Sequence, residues 1–535
     1  MGRNIEQTLF DLSICSKHEI LGGTIPARWW RAVVKWPPDA FAVTSTLLSE
    51  SGAYRLAVSP PAGKRWPPRA GWNDEVDARA SSWWKWVADG CPAPVPPWLL
   101  DIGHVVRAAA KMPTHMLADN WNLVCNLLEL HAIADEACAG FGMPDEPDQD
   151  GRGKDWKVYR LGANDLLARS DSLSHFSKHS IRVLPKMRTP QAGISLRSLS
   201  GHLAVTRFAE VDVKWAHAPQ FSDTKSSFNL LLLPVPLVVR PADFRPVPGT
   251  LDNMDSKRFG FFRFEPTALD ETYVQRLLSS AAECAGGVDG VIFPESALSE
   301  TELSLAKSLV EQAFDGQRVP FLLAGVRGQR ENIAHFSIFV GGTWQDYPQS
   351  KHHRWALDRA QILNYKIGAA LHPSVRWWED IDVRRRELRF ILVNSWLGIC
   401  PLICEDLARQ DPVAQIIRAL GPTLVIALLL DGPQLNGRWP ARYATVLADD
   451  PGSSVLTFTP LGMSERSVPP GASPKRVVGL WKDARTGAQE LRLDAGRSAL
   501  LLTLCNEWSQ EWMADGRSDK GSAAQLYLGN VEQLS

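Results

Sequence analysis

The hydrophobic pattern divides the chain into two halves of different character. From residue 228 onward, short apolar runs alternate with segments whose apolar side chains recur every three or four positions. Short apolar runs are typical of buried strands, and the longer period is typical of helices that pack one face on a sheet. The alternation therefore predicts an α/β fold. Its predicted strands cover 228–239, 288–296, 319–328, 331–347 (a hairpin arm), 387–404, 423–430, 475–481, 489–494 and 499–505.

The first half mixes proline-rich loops with segments of helical period. Its clearest helix covers 121–140 and carries His131 and Asp135 one turn apart, for which a core or capping pair is favoured over a catalytic pair. The sequence predicts a mainly helical N-terminal domain, a polar connection, an α/β domain and a C-terminal tail. The helical domain covers 1–215, the connection 217–227, the α/β domain 226–508 and the tail 509–535.

Composition excludes some classes of function. The 58 Lys and Arg residues balance 59 Asp and Glu residues, so the net charge gives no reason to expect nucleic acid or a membrane surface as a partner. The basic stretch 178–197 is predicted to be a solvated face, with phosphate contact as the alternative. No apolar run is long enough for a membrane span, and the first residues do not resemble a signal peptide.

The eight cysteines are scattered and form no CxxC pair, which predicts reduced thiols, no metal site and a cytoplasmic protein. The 21 tryptophans favour large buried contact surfaces. No motif in the chain indicates an organic cofactor.

Three strand ends in the second half carry side chains that can do chemistry. Glu295 follows the run VIFP, Lys351 follows the predicted arm, and Cys404 closes GICPLIC just before EDLARQDP. Each residue alone has a simpler interpretation, as a solvated loop acid, a surface lysine and a small core residue. Together, a thiol, a carboxylate and an ammonium are the groups that covalent cleavage of an amide or nitrile requires.

In this order and context, the three residues resemble the Glu–Lys–Cys triad of the nitrilase (carbon–nitrogen hydrolase) superfamily. The resemblance covers about 226–508 and includes the strand FNLLLLPVP, the FPE after the second strand, and Asn332 in GVRGQRENIAHF. It implies a four-layer α-β-β-α sandwich. It also implies a homodimer or larger assembly, with residues 405–420 near the interface.

The resemblance implies a role for each group of the triad. Cys404 would attack the carbon of an amide or nitrile, and Glu295 would act as general base and general acid. Lys351 would stabilise the oxyanion together with the backbone N–H of Glu405.

The family also uses a second acid. Glu379 in RWWEDID is the candidate and Asp358 is the alternative, because no glutamate follows soon after Lys351. The segment after strand 423–430 departs from the family pattern and leaves the substrate unknown. Its candidate pocket or structural residues are Asp431, Arg438, Trp439 and Arg442, the last of which we expect to pair with an acid such as Asp449.

The two acids that follow Cys404 raise the question of how this thiol could react. We expect a helix to begin just beyond it, so that the helix dipole and Lys351 favour the thiolate. Glu405 and Asp406 would then cap the helix and point away from the sulfur. Cys400, four residues earlier on the same strand, is expected to be a core residue.

Three functions remain open at this point. The first is a hydrolase of a small-molecule amide or nitrile, and the second is acyl transfer to an amine through the same thioester. The third is a non-enzymatic binding or oligomerisation module. The N-terminal half is similar to the leading region of bacterial nitrilase-like proteins linked to reverse-transcriptase phage defence, and this implies an antiviral role and a reverse transcriptase as a protein partner.

Overall fold

The computed structural model describes most of the chain. It comprises residues 3–13, 27–144, 153–190, 193–207, 210–218, 221, 226–248, 255, 257–284, 286–383, 386–468 and 473–535. None of the helices in these ranges combines the length and the apolarity needed to cross a membrane.

Within the described ranges, helices dominate the first 170 residues and alternate with strands later on. The α-helices are α1 Ile5–Ser13, α2 Ala27–Val33, α3 Pro37–Ser51, α4 Trp72–Ala88, α5 Pro97–Ala108, α6 Trp121–Glu136, α7 Gly153–Ser170, α8 Glu271–Ala282, α9 Glu300–Ala313, α10 Arg359–Asn364, α11 Glu405–Ala408, α12 Gln415–Leu420, α13 Trp439–Asp449 and α14 Leu461–Arg466.

The strands are concentrated in the second half of the chain. They are β1 Arg182–Pro185, β2 Leu203–Thr206, β3 Val211–His217, β4 Ser227–Leu232, β5 Phe244–Val247, β6 Phe259–Phe264, β7 Gly290–Ser299, β8 Phe321–Arg327, β9 Asn332–Val340, β10 Thr343–Ser350, β11 Ala356–Leu357, β12 Arg376–Glu379, β13 Arg386–Leu392, β14 Gly398–Ile403, β15 Leu424–Leu428, β16 Ser454–Phe458, β17 Val477–Asp483, β18 Gly487–Arg492, β19 Ala499–Ser509 and β20 Ala523–Leu534.

Two large sheets hold the strands that carry the candidate chemistry. The first sheet has the order β10-β9-β8-β7-β4-β19-β20, and the second has the order β18-β17-β16-β15-β14-β13-β3. The central strands of each sheet are parallel, as in the pairs β4–β7 and β14–β15. They are also buried on both faces, because one face packs on the other sheet and the other face is covered. This explains why the sequence shows them as continuous apolar runs.

Helices cover the outer faces of the two sheets. Helices α8 and α9 bury Val274, Leu277 and Val310 against Val291 and Leu322 of the first sheet. Helices α11 to α14 belong to the second sheet, where α13 contacts β16 and β17. The layers are therefore α-β-β-α. The predicted fold class, a four-layer sandwich preceded by a mainly helical N-terminal region, is confirmed.

The helical region is held together by buried helices and tryptophans. Helix α6 begins at Asn120, whose side chain accepts a hydrogen bond from Leu123 N, and it is buried on almost every side. Trp30 and Trp83 are fully buried, and each donates its indole N–H to a backbone carbonyl, of Leu99 (2.7 Å) and of Val34 (2.9 Å). The abundance of tryptophan thus reflects this core.

The predicted division into domains needs two corrections. Strand β3 lies before the predicted connection, but it pairs with β13 in parallel and completes the second sheet. Residues 509–535 are not a tail, because β20 pairs with β19 along its whole length and forms the edge of the first sheet. The buried residues of the helical region and of the sandwich form one continuous core.

A buried arginine fastens the last segment of the chain to the helical region. The guanidinium of Arg517 donates to Asp515 (2.8 Å), to Asp135 (2.9 Å) and to the carbonyls of Ala132 and Leu199. Burial alone would raise the pKa of Asp135, but the charge of Arg517 and other donors outweigh it and hold this pKa below its usual value.

The pair His131 and Asp135 lies in the core, as the sequence favoured. Asp135 accepts hydrogen bonds from the backbone N–H groups of Gly201, His202 and Leu203, so it organises the turn before β2. The basic stretch 178–197 is not simply a solvated face, because Arg182 and Lys186 within it are buried.

Replacing Arg517 tests this link between the last segment of the chain and the helical region. The Arg517→Met variant leaves Asp135 and Asp515 buried without their cation, and removal of one partner of a buried pair costs about 3–5 kcal/mol. We expect chemical denaturation at neutral pH to show a loss of that order. Arg492→Gln, at an exposed arginine of β18, is the control and should change the free energy of unfolding by less than about 0.5 kcal/mol. Equal stability of the two variants would contradict the proposed link.

Candidate active site

Glu295 lies in a break of the strand pairing between β7 and β8. The register passes from Phe293 opposite Ala324 to Leu298 opposite Val326, so the residues between bulge out against Gly325. A Cβ on Gly325 would overlap the carbonyl oxygen of Pro294 and the Cα of Glu295. The next residue, Ser296, has a φ of 53°, a region that non-glycine residues rarely adopt. Strand β7 therefore presents Glu295 in a strained, tightly packed turn.

Lys351 lies at the end of the hairpin arm that the sequence predicts. Strands β9 and β10 pair in antiparallel fashion from Asn332 to Ser350 and turn at Gly341 and Gly342, both of which have positive φ. Lys351 follows the last paired residue, and its backbone N–H donates to the carbonyl of Asn332 (2.8 Å). The arm thereby turns the lysine side chain into the protein, where only 2% of the residue is exposed.

The ammonium of Lys351 is held between two carboxylates. Its Nζ lies 2.7 Å from Oε1 of Glu295 and 2.7 Å from Oε2 of Glu379. The side-chain amide of Asn332 donates to the same two acids, at 2.8 Å and 2.7 Å. Asn332 thus joins the two acids that the lysine also joins. The result is a closed ring of four polar groups, of which Glu295, Lys351 and Asn332 are buried and Glu379 is partly exposed.

Glu379 reaches the site from β12, whereas Asp358 does not. The backbone N–H of Glu379 donates to the carbonyl of Trp355 (2.9 Å), and the backbone N–H of Trp355 donates to Oε2 of Glu379 (3.1 Å). Asp358 instead caps helix α10, where its side chain accepts from Gln361 N (2.8 Å). Of the two acids that the sequence offered, the structure brings Glu379 to the lysine.

Cys404 lies at the turn after β14, an inner strand of the second sheet. Its backbone N–H donates to Leu428 O (2.9 Å) on the parallel neighbour β15, and its φ of 43° is again rare for a residue with a side chain. Glu405 begins α11, so its N–H has no acceptor within that helix. Cys400, further back on β14, is fully buried, in agreement with a core residue.

The surroundings of Cys404 favour the thiol over the thiolate. Burial raises the pKa of Cys404 well above its usual value, Glu295 raises it further, and Lys351 only partly opposes them. The sequence predicts that the helix dipole and Lys351 favour the thiolate. This expectation is wrong, because burial and Glu295 outweigh the effect of Lys351. Helix α11 ends after four residues, and a wide turn at Gln410–Ala414 separates it from α12. The proline at 412 accounts for the break.

Glu295 and Lys351 have shifted pKa values of their own. Burial raises the pKa of Glu295, and Glu379 adds to the shift against the opposing charge of Lys351. Burial would lower the pKa of Lys351, but Glu295 and Glu379 outweigh it and raise that pKa well above its usual value. The lysine is therefore a fixed positive charge, and Glu295 is a stronger base than an exposed glutamate.

Two cross-links that the sequence analysis missed fix the lysine arm to the cysteine turn. Gln349 donates to Pro401 O on β14 (2.8 Å) and accepts from Arg389 N on β13 (2.8 Å). Asp406 accepts from His352 N (3.1 Å) and lies 2.9 Å from Nδ1 of His353. The acid two residues after the thiol thus faces the lysine arm and not the sulfur.

The segment after β15 forms a polar cluster around Asp431. This carboxylate accepts hydrogen bonds from the hydroxyl of Tyr365, from Arg438 (2.8 Å) and from the indole of Trp439 (3.1 Å). Asp431 is also near enough to Cys404 to raise the pKa of the thiol. Arg442 is exposed and forms no ion pair with any described residue, so its expected pairing with an acid such as Asp449 is wrong.

The arrangement can supply a nucleophile, a base and a fixed positive charge. The described residues contain no group of three or more His, Cys, Asp and Glu side chains suited to hold a metal ion. A thiol, a raised-pKa carboxylate and a buried ammonium match the needs of covalent catalysis at an acyl or nitrile carbon.

The close approach at Gly325 can be tested by a single methyl group. The Gly325→Ala variant should push the turn that carries Glu295 out of place and cost about 1–3 kcal/mol of stability, as overpacking typically does. Gly162→Ala is the control, because this exposed helical glycine has no atom near its added Cβ and should become up to about 1 kcal/mol more stable. Chemical denaturation of both variants is the measurement. A Gly325→Ala protein as stable as the wild type would contradict the packing described.

Comparisons with known proteins give similarity only at the level of solved structures. No protein-family model and no curated protein matches the sequence. The chain is similar to XC1258 from Xanthomonas campestris, a CN-hydrolase superfamily protein with an arsenic adduct in its active site, at 14% identity over 52% of this chain and 91% of that one, with a TM-score of 0.30.

Two further solved structures show the same degree of similarity. Nit3 of Saccharomyces cerevisiae, a member of branch 10 of the nitrilase superfamily, has 9% identity over 52% of this chain and 90% of its own, with a TM-score of 0.30. A carbon–nitrogen hydrolase from Helicobacter pylori G27 has 10% identity over 52% and 89%, also with a TM-score of 0.30. Similarities of this size carry no information on the chemistry of this chain.

Proposed function

We propose that the protein is a hydrolase of a small, non-peptide carbon–nitrogen bond, in an amide or a nitrile, and that it works through a thioester on Cys404. The observation that carries this proposal is the buried ammonium of Lys351, which lies 2.7 Å from both Glu295 and Glu379 and acts electrostatically on Cys404. A buried cation shared by two acids can be purely structural, as at Arg517. At Lys351 a third group is added, a cysteine at a strained turn, and this combination is what a reaction centre needs.

The first half of the proposed reaction forms the thioester. Because burial keeps Cys404 protonated, its proton passes to Glu295 as the sulfur attacks the substrate carbon. The negative charge that develops on the substrate oxygen is stabilised by Lys351 and by the N–H of Glu405. Glu295 then returns the proton to the leaving nitrogen. The carbon–nitrogen bond breaks, and ammonia or an amine departs.

The second half restores the enzyme. Glu295 takes a proton from a water molecule, whose oxygen attacks the thioester carbon. The carbon–sulfur bond breaks, and the proton on Glu295 passes to the sulfur. The net reaction converts an amide and water into a carboxylic acid and ammonia or an amine. A nitrile uses one more water molecule: the sulfur attacks the nitrile carbon and Glu295 passes the thiol proton to the nitrogen to give a thioimidate. A first water then adds to the thioimidate carbon, ammonia departs, and the same thioester is formed.

Burial of the centre favours small substrates. Cys404 and Glu295 are 3% and 1% exposed, so a bulky polymer cannot reach the sulfur without a rearrangement of the sandwich. The cluster around Asp431 acts electrostatically on Cys404 and would contact the part of the substrate away from the cleaved bond. We therefore propose small amides before peptides.

The wider assignments stay predictions. A homo-oligomer with residues 405–420 near its interface, a protein partner such as a reverse transcriptase, and a role in antiviral defence rest on resemblance alone. Acyl transfer to an amine would use the same thioester and differs from hydrolysis only in the group that attacks it.

Variants of the three groups test the proposed reaction. We expect the wild-type protein to release ammonia from members of a panel of small aliphatic amides, and Cys404→Ala to release none above background. Lys351→Met should lower kcat by about 10²–10³, and Glu295→Gln by about 10²–10⁴, because each removes transition-state stabilisation or proton transfer. Cys400→Ala is the matched control and should retain activity, since this thiol lies in the core.

Two results would decide against the proposal. Ammonia release that survives in Cys404→Ala would show that the thiol is not the nucleophile. An inert wild-type protein over the whole panel, with nitriles included, would favour the binding module.

An amide of an added amine, found in place of the free acid, would assign the thioester to acyl transfer instead.

A further inference from the structure

A cavity lies between the helical region and the sandwich. Its volume is about 340 Å³, which falls in the range of small-molecule sites, roughly 300–1,000 Å³. Its walls come from the end of α6, from α7, from the segments beside β1 and β2, from the turn between β13 and β14, and from the segment before β20. It is therefore built by all the parts that the buried Arg517 brings together.

This cavity is separate from the candidate active site. Gly398, the first residue of β14, lines the cavity, whereas Cys404 follows the last residue of the same strand. Six strand residues at about 3.3 Å each place the two sites roughly 20 Å apart, at opposite ends of one strand. None of Glu295, Lys351, Glu379 and Cys404 lines the cavity.

One wall of the cavity carries a cation without a carboxylate partner. The guanidinium of half-buried Arg188 has a side-chain hydrogen bond to Nδ1 of His202 (3.2 Å) and forms no ion pair with any described residue. The other ring nitrogen of His202 lies 3.2 Å from Glu136, and Glu136 is in turn an ion-pair partner of Arg517 (3.5 Å). Glu136 already has His202 and Arg517 as partners. No carboxylate of the described residues neutralises Arg188, so its charge is available to a ligand in the cavity.

A second donor lies in the turn between β13 and β14. The side-chain oxygen of Asn394 accepts from Trp396 N (3.1 Å) and Leu397 N (2.7 Å), which fixes the orientation of the amide. Its Nδ2 donates to no described residue, and Asn394 lines the cavity. An arginine fork and an amide N–H are the donors that a phosphate or carboxylate group requires.

Other parts of the walls are aromatic and apolar. Trp156 and Trp396 are almost completely buried and line the cavity together with Phe141 and Met187. Trp508 also lines it, with half of its surface exposed to solvent. Flat aromatic walls and sulfur atoms favour a planar ring as the body of a ligand.

We propose that this cavity binds a small organic anion with a planar aromatic body. The acidic group of the ligand lies at Arg188 and Asn394, and its ring packs on Trp396 and Trp508. Among the residues that line the cavity, five lysines and arginines face three acids, which agrees with a negatively charged ligand.

Isothermal titration calorimetry of the full chain tests the proposal with three probes, namely 1-naphthyl phosphate, 1-naphthoate and adenosine 5′-monophosphate. We expect saturable binding of at least one probe, and the naphthyl pair shows whether phosphate or carboxylate is preferred. Inorganic phosphate and adenosine, which each lack one half of the proposed ligand, should bind about tenfold more weakly or not at all. Cys404→Ala should bind the best probe as the wild type does, because the two sites are separate.

Two variants locate the site. Arg188→Gln should weaken the best probe about tenfold, because it removes a charge-assisted hydrogen bond, and the exposed control Arg492→Gln should not. Trp508→Ala, at a partly exposed residue, should weaken binding by a similar factor through lost stacking and keeps the test valid if Arg188→Gln unfolds. The proposal is overturned if no probe binds at millimolar concentration. It is also overturned if both lining variants, when folded, bind the best probe as the wild type does.

Discussion

The buried ammonium of Lys351 is the constraint on which the arrangement of the sandwich around the site depends. Removal of an ion from water costs several kcal/mol, and only close, well-oriented partners offset this cost. Glu295 and Glu379 are these partners, and the amide of Asn332 donates to both of them. The bulge in β7 brings Glu295, the hairpin of β9 and β10 brings Asn332 and Lys351, and the short strand β12 brings Glu379. These three features of the fold therefore serve one group of contacts.

The same charges explain how a thiol between acids can take part in a reaction. Cys404 does not need a low pKa if a base next to it accepts the proton during the attack. The raised pKa of Glu295 suits that task, and the fixed charge of Lys351 is in place before the oxyanion forms. Glu405 forms an ion pair with Arg409 (2.9 Å), and Asp406 holds the lysine arm, so both acids have partners of their own.

The sequence predicted the groups of the site better than the contacts between them. The layered fold and the positions of Glu295, Lys351 and Cys404 at strand ends follow from local apolar runs and short motifs. The double contact of Asn332, the bond from Gln349 to Pro401 and the role of Asp406 could not be predicted, because they join residues 37 to 53 positions apart in the chain. Such contacts depend on the fold as a whole.

The errors in the sequence analysis also have physical reasons. The last segment looked polar around Arg517, although AAQLYL within it alternates between buried and partly exposed positions, which is a strand signal that could have been used. A single helix was expected just beyond Cys404, whereas Pro412 separates the short helix α11 from α12 in this stretch. The charges of Arg182 and Lys186 suggested exposure, and only the tertiary structure shows the partners that allow their burial.

The central claim is that Cys404 becomes covalently attached to the substrate next to the Lys351 ring. The most direct measurement is an acid quench during turnover of the best amide, followed by mass spectrometry of the intact protein and of its peptides. The account predicts a mass increase equal to one acyl group, located on Cys404, in the wild-type protein. Turnover without any adduct, or an adduct on another cysteine such as Cys505, would contradict it.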